Sequence, residues 1–120
     1  MAYDEILANR IRESLIQRAN VEQVEEKNMM GGLAFMYKGK MCVGVIKEEM
    51  MCRIGTEVYE IAIEKQGCRE MDFTGKPIPG YVMVDESGMQ TKDDIDYWIQ
   101  LSLDFNVHAK AAIKKRKKGK

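Results

Sequence analysis

Histidine and cysteine, the residues that most often build metal and nucleophilic sites, are scarce in this chain. Its 120 residues include one histidine, His108, and three cysteines, Cys42, Cys52 and Cys68. The cysteines are odd in number and show no CxxC spacing, so neither a disulfide framework nor a zinc ribbon is indicated. We expect reduced thiols that fill a core, as in a cytoplasmic protein, and we predict no metal site and no cofactor.

Long apolar runs are absent as well, which argues against a membrane span. No stretch approaches the roughly 20 apolar residues that a transmembrane helix needs. The opening MAYDEILANR contains Asp4 and Glu5 and lacks the apolar segment of a signal peptide. A composition of 45% apolar and 32% charged residues is typical of a globular domain, so we expect one soluble, cytoplasmic domain with no membrane partner.

The formal net charge of zero hides a separation of charge along the chain. Residues 1–109 hold 12 basic and all 19 acidic residues, a net charge of −7, and residues 110–120 carry +7. The cations of this tail are Lys110, Lys114, Lys115, Arg116, Lys117, Lys118 and Lys120. We predict a folded domain over 1–109 and a basic tail over 110–120. The tail is either a solvated helix end or an electrostatic arm for nucleic acid or an acidic partner.

Apolar spacing predicts a first helix over residues 4–19. Leu7, Ile11 and Leu15 recur at every fourth position, which is the pattern of an amphipathic helix.

Two further helices are predicted later in the chain. Residues 56–66 suit a short helix with Thr56 as its N-cap, and its inward positions are Val58, Ile61 and Ala62. The last helix is predicted over about 92–109, because Thr91 and Asp94 have the spacing of a capping box. Its apolar stripe contains Ile95, Trp98, Ile99, Ser102 and Leu103.

Strand-like runs occupy much of the chain between the helices. They cover 21–30, 33–38, 41–46 and 81–84, and a turn at Glu48-Glu49 predicts one more strand after 41–46. Gly39-Lys40 indicates a two-residue hairpin loop of type II′. This loop would pair Met36 with Val43 and Ala34 with Val45.

The predicted register gives a sheet that is apolar on both faces. One face would contain Ala34, Met36, Val43, Val45, Cys52 and Ile54. The second face would contain Leu33, Phe35, Tyr37, Cys42, Gly44, Ile46, Met51 and Arg53, with Gly44 leaving room for the Arg53 guanidinium over the Phe35 ring. Such a sheet must be covered on both faces, by helices or by a partner.

Two glycine-containing segments suggest phosphate binding, which their neighbours exclude. Pro77 follows Gly75-Lys76 where a P-loop requires Ser or Thr. Gly31-Gly32 precedes a strand rather than a helix, which favours a bulge or close backbone packing over a ligand. Carboxylates are spread over predicted surfaces without an acid–base pair. We therefore predict no catalytic residues.

Methionine, in contrast, is abundant, with ten residues. Eight of them fall on or next to predicted strands. They are either soft core filler or the lining of an adaptable binding surface.

Four segments in this order resemble the N-terminal domain of the TfoX/Sxy family, bacterial regulators associated with natural competence. They are MAYDEILANRIRESL, MMGGLAFMYKGKMCVGV, MDFTGKPIPGYVMV and the terminal helix with Trp98. The resemblance covers nearly all of 1–109. It implies one α+β domain, a single antiparallel sheet of about four to five strands with three helices packed on it. Larger members carry a second helical domain, whereas only the basic tail follows here, so we expect a stand-alone N-terminal domain.

The resemblance implies a co-regulator that acts with the cyclic-AMP receptor protein, without an assigned catalytic activity. Our first hypothesis is therefore a non-enzymatic regulatory or protein-interaction domain whose partner belongs to the transcription machinery. Its surface would be the second sheet face and the 69–80 loop, through Met30, Phe35, Tyr37, Met51, Arg53, Asp72, Phe73 and Lys76.

Two other functions and one assembly stay open. A DNA-associated accessory protein would use the basic tail. No aromatic residue follows Phe105, so its contacts would be to phosphates, weak and sensitive to salt. A small-molecule role would need a pocket around Arg53, Tyr37 and Asp72. A homodimer is a further partner option.

Overall fold

Six strands form one antiparallel sheet in the computed structural model, which describes residues 3–29, 31–71 and 78–108. The elements are α1 (Glu5–Arg18), β1 (Val24–Met29), β2 (Gly32–Tyr37), β3 (Lys40–Ile46), β4 (Glu49–Arg53), α2 (Tyr59–Ala62), β5 (Cys68–Glu70), β6 (Tyr81–Val84) and α3 (Lys92–Asn106). The strand order is β1-β2-β3-β4-β6-β5. The predicted α+β class with three helices is confirmed. The sheet has one strand more than the predicted four to five, because Cys68–Glu70 pairs with β6.

Helix α1 forms where the apolar spacing predicts it. Asp4 is its N-cap and accepts hydrogen bonds from the N–H groups of Ile6 and Leu7 at 2.9 and 3.2 Å. Leu7, Ile11 and Leu15 are buried, as predicted.

Helix α3 begins with the predicted capping box. The Thr91 hydroxyl accepts from the Asp94 N–H at 3.1 Å, and the Asp94 carboxylate accepts from the Thr91 N–H at 3.2 Å. The predicted stripe is buried, with Trp98 and Ile99 at its centre. This stripe packs onto β3 and β4, and α1 packs beside it.

The β2–β3 hairpin differs from the predicted register. Its loop is Lys38-Gly39, with φ of 54° and 79°, and Tyr37 pairs with Lys40. Positive φ at both positions is the requirement of a type I′ turn. The predicted loop at Gly39-Lys40 is therefore wrong by one residue.

A β-bulge next to this loop completes the change of register. Met36 pairs with Met41 and Phe35 pairs with Val43, which leaves Cys42 as the extra residue of β3. As a result, Leu33 and Phe35, rather than Ala34 and Met36, share a face with Val43 and Val45.

The β3–β4 connection and α2 also correct the prediction. The loop is Lys47-Glu48, since Ile46 pairs with Glu49. Val43 therefore faces Cys52. Because the register moves by two positions, Val43, Val45 and Cys52 stay on one face, as predicted. Helix α2 has one turn, without a side-chain cap from Thr56. Ala62 is buried as predicted, whereas Ile61 is 71% exposed.

Candidate partner-binding surface

Different parts of the chain pack against the two faces of the sheet. The main core joins residues of α1, α2 and α3 to one face, where Phe35, Val43 and Cys52 lie. A second apolar cluster lies on the opposite face and consists of Met51, Met71 and Met83, flanked by Met41, Ile46, Ile78 and Tyr81. No described residue of the three helices belongs to this second cluster.

We define the methionine face as Met36, Met41, Ile46, Met51 and Met83, which project from β2, β3, β4 and β6 on the side away from the helices. Met36 pairs with Met41 and Met51 pairs with Met83. Since directly opposed residues of antiparallel strands share a face, the register alone brings these thioethers together.

Small residues lie beside Met51 on the neighbouring strands. Ala34 pairs with Gly44, and Gly44 pairs with Met51. A Cβ atom at Gly44 would lie 3.4 Å from Met51 Cε and 3.0 Å from the Leu33 carbonyl oxygen. A side chain at Gly44 would therefore touch the end of the Met51 side chain and crowd the Leu33 carbonyl oxygen. The predicted role of Gly44, room for the Arg53 guanidinium over the Phe35 ring, is wrong.

The methionine face is covered unevenly. At its β6 side, the Met71 N–H donates to the Tyr81 carbonyl oxygen at 3.4 Å, and the Ile78 N–H donates to the Met71 carbonyl oxygen at 2.9 Å. Met51, Met71 and Met83 are buried there. Met36, Met41 and Ile46, on β2 and β3, are only half-buried. The β2–β3 half is therefore the part from which a partner could remove apolar surface from water.

Charged and aromatic side chains border this face. The Arg53 guanidinium lies 5.6 Å from the ring centroids of both Tyr81 and Phe105. Arg69 forms an ion pair with Glu49, and this contact raises the pKa of Arg69. An apolar centre within a polar rim is the general anatomy of a protein interface.

The residues predicted to form the partner surface do not lie together in the structure. Met51 and Arg53 lie on the methionine face or at its border. Phe35 is in the helix-side core and is 1% exposed, with the Arg12 guanidinium, not that of Arg53, 5.9 Å from its ring centroid. Tyr37 is half-buried, and its hydroxyl accepts a hydrogen bond from the Asn20 N–H at 3.2 Å.

The remaining predicted site residues lie outside the described part of the chain. These are Met30, Asp72, Phe73 and Lys76, together with the basic tail 110–120. The sequence prediction placed Ile46 on this surface but missed Met36, Met41 and Met83 as members of it. The bulge at Cys42 places Met36 and Met41 on this face, because the change of loop alone moves the register by two positions and leaves the predicted faces as they were.

The thiols lie in environments that suppress their reactivity. Burial raises the pKa of Cys42 to about 12 and that of Cys68 to about 11. Burial raises the pKa of Cys52 further still. Because the thiolate is the nucleophile and the metal ligand, these cysteines are poor candidates for either role. Cys42 and Cys52 belong to the same core cluster, which corrects their predicted placement on opposite faces.

The described residues also offer no ready metal site. These residues contain no cluster of three or more His, Cys, Asp or Glu side chains able to hold a metal ion. His108 is exposed, just beyond the end of α3. None of the described helices is long and apolar enough to cross a membrane.

Comparison with known proteins identifies the domain. A family model described as the TfoX N-terminal domain matches residues 16–106, from the last turn of α1 to the end of α3. No curated protein and no solved structure matches the chain.

Proposed function

Because the chain belongs to the TfoX N-terminal domain family, we propose that it is a non-enzymatic regulatory domain that binds a protein of the transcription machinery. The observation that carries this proposal is the methionine face, an apolar sheet surface to which the described helices contribute nothing. By family resemblance, the first partner to test is the cyclic-AMP receptor protein, and the process to test is competence.

The chemistry of the methionine face suits a partner rather than a substrate. Thioether side chains are flexible and polarizable, so they adapt to apolar surfaces of different shape. Each Å² of apolar surface that a partner covers is worth about 25 cal/mol before the costs of association. A flat sheet with few polar atoms offers little to orient a small molecule, which needs a concave site with convergent polar groups.

The protonation behaviour of the three thiols and of two ion-paired carboxylates supports the non-enzymatic part of the proposal. The three thiols have raised pKa values. The ion-paired carboxylates Glu26 and Asp96 have lowered pKa values. A general base active near neutral pH requires the opposite shift for a carboxylate.

Glutamates at Met36 and Met41 should abolish partner binding. These two side chains are half-buried, so the substitutions place charge at the interface with little damage to the fold. We expect the Met36→Glu/Met41→Glu double variant to bind purified cyclic-AMP receptor protein at least about tenfold more weakly than the wild type in a calorimetric titration. Thermal unfolding by circular dichroism checks that the variant is folded.

Ile61→Glu is the matched control for this experiment. Ile61 is 71% exposed on α2, whose Ala62 packs into the helix-side core. The control therefore makes the same apolar-to-acidic change away from the methionine face. A photoreactive amino acid at position 36 or 61, followed by cross-linking in cells, extends the test to other protein partners. Equal capture at both positions, with unaltered binding by the double variant, would contradict the proposal.

A DNA-associated role through the basic tail is the alternative, and the seven cations in residues 110–120 favour it. Each phosphate neutralised contributes about −0.9 to the slope of log affinity against log salt, so the slope would reach at most about −6. Fluorescence anisotropy of labelled duplex DNA measures this slope. The DNA is titrated with the full chain and with residues 1–109, each at two salt concentrations. Unchanged binding by residues 1–109 would sink this role, and so would no binding by either chain at low salt.

A further inference from the structure

Strand β1 is an edge of the sheet. It pairs with β2 along its whole length, from Val24 opposite Tyr37 to Met29 opposite Gly32. The strand order places no other described strand on its outer side. An open edge of this length is a template for pairing with another strand.

One hydrogen bond shows which backbone groups of β1 point outward. The Lys38 N–H donates to the Gln23 carbonyl oxygen at 3.0 Å, immediately before the first β1–β2 pair. In antiparallel sheets the bonded positions alternate. Glu25 and Lys27 therefore bond to β2, whereas Glu26 and Asn28 direct their backbone groups away from the sheet. Val24 also points outward, and its N–H donates to the Val21 carbonyl oxygen.

We propose that β1 pairs antiparallel with β1 of a second copy of this chain, about a two-fold axis at Glu26. The two sheets then form one continuous sheet. The two Glu26 residues exchange backbone hydrogen bonds at the axis. Each Asn28 N–H donates to the Val24 carbonyl oxygen of the other copy. Since this axis is perpendicular to the sheet, both methionine faces lie on the same side of the dimer.

Side-chain charge selects this register. Glu25 and Lys27 lie on one face of β1, both are exposed, and neither makes an ion pair with another described residue. With the axis at Glu26, each Glu25 lies opposite Lys27 of the other copy, in the closely spaced non-hydrogen-bonded positions. Moving the axis to Glu25 or to Lys27 would oppose like charges. The charges that protect an edge from indiscriminate pairing thus favour the register centred on Glu26 over those centred on Glu25 or Lys27.

The central Glu26 pair is compatible with this arrangement because each carboxylate already has a cation. Arg12 donates to both oxygens of Glu26, at 2.6 and 2.8 Å. This bidentate contact lowers the pKa of Glu26 and holds its charge toward α1. The two Glu26–Arg12 pairs therefore meet at the axis as neutral units rather than as two bare carboxylates.

Apolar surface continues from the edge strand on the helix side. A groove of about 220 Å³ runs between α1 and β1, and its lining includes Leu15, Ile16, Val21, Val24 and Phe35. Ile16 is 64% exposed and Val21 is 49% exposed. Pairing of the two edges places the two grooves beside each other, where this surface loses contact with water.

Variants that reverse the charge of Glu25, of Lys27 or of both residues test the proposal. Sedimentation equilibrium of the full chain, up to about 1 mM, should show a monomer–dimer equilibrium. Glu25→Lys and Lys27→Glu should each raise the dimer dissociation constant about tenfold or more, because two attractive contacts become repulsive. The double variant Glu25→Lys/Lys27→Glu should restore dimerisation. Glu60→Lys makes the same charge change at an exposed residue of α2, and it should leave the dimer dissociation constant unchanged.

Asn28→Pro tests the backbone contacts separately. It removes an N–H that points away from β2, and proline is tolerated on the open side of an edge strand. We expect a folded monomer, as judged by circular dichroism and sedimentation. The proposal is overturned by a protein that stays monomeric up to about 1 mM, by a dimer that the single reversals or Asn28→Pro leave intact, or by failure of the double reversal to restore dimerisation.

Discussion

Replacing Gly32 with alanine should lower the free energy of unfolding by about 3 kcal/mol or more. A Cβ atom at this position would lie 2.0 Å from the Val45 carbonyl oxygen and 3.2 Å from Ile46 Cα. Both are backbone atoms of β3, which cannot move away unless β2 and β3 separate at the start of their ladder. Urea unfolding followed by circular dichroism measures the loss.

Gly31→Ala is the matched control because it makes the same change at the preceding residue. Gly31 has φ of 75° but no atom within 4 Å of an added Cβ. Gly31→Ala should therefore lower the free energy of unfolding only by the cost of placing alanine at this positive φ, about 1–2 kcal/mol. Equal losses for the two variants would mean that the approach of β3 to Gly32 is not close, and that conformation alone explains the glycine pair.

The structure at Gly31-Gly32 also illustrates what the sequence can predict. A glycine pair before a strand, rather than before a helix, predicted a bulge or close backbone packing in place of a ligand site. The short distances at Gly32 agree with close packing. Helices α1 and α3 were predictable for similarly local reasons. The apolar spacing of α1 and the capping box of Thr91 and Asp94 each depend on residues within one or two turns.

The hairpin register was not predictable in the same way. Hydrophobic alternation fixes register only when one face of a strand is polar. In β2 and β3 both faces are apolar, so a slip of one residue keeps the pattern equally plausible. Two local features decided the register, the positive φ of Lys38, a non-glycine residue, and the bulge at Cys42. Neither has a strong sequence signature.

The error in register propagated to the predicted surface. It placed Phe35 and Tyr37 on the face away from the helices and omitted Met36 and Met41 from it. Strand β5 was missed for a different reason. Its three residues, Cys68–Glu70, include two exposed charged side chains, and its pairing with β6 depends on contacts distant in sequence.

Neutralising Asp96 should remove about 2 kcal/mol of stability at pH 7, because its carboxylate joins α1 to α3. The carboxylate accepts hydrogen bonds from Ser14 Oγ at 2.7 Å and Lys92 Nζ at 2.7 Å, and it pairs with Arg18 at 3.1 Å. The Asp96 side chain is only 7% exposed, whereas those of Arg18 and Lys92 are 32% and 62% exposed. Asp96→Asn keeps an oxygen for Ser14 and removes the charge. The cations left behind remain in contact with water, so the loss is smaller than that for a fully buried pair.

The pH dependence separates this contact from simple packing. The hydrogen bond from Arg18, followed by those from Lys92 and Ser14, holds the pKa of Asp96 well below its usual range. The folded state therefore binds this proton less readily than the unfolded state. The stabilisation is complete above the unfolded pKa of about 3.9 and is lost progressively as the pH falls below it.

Urea unfolding at pH 7 and at about pH 3 should show the difference between wild type and Asp96→Asn shrinking at the lower pH. Asp93→Asn removes an exposed carboxylate from the first turn of the same helix, and it should cost less than about 1 kcal/mol. If Asp96→Asn costs no more than Asp93→Asn, or if its cost is the same at both pH values, then the Asp96 carboxylate does not hold α1 against α3.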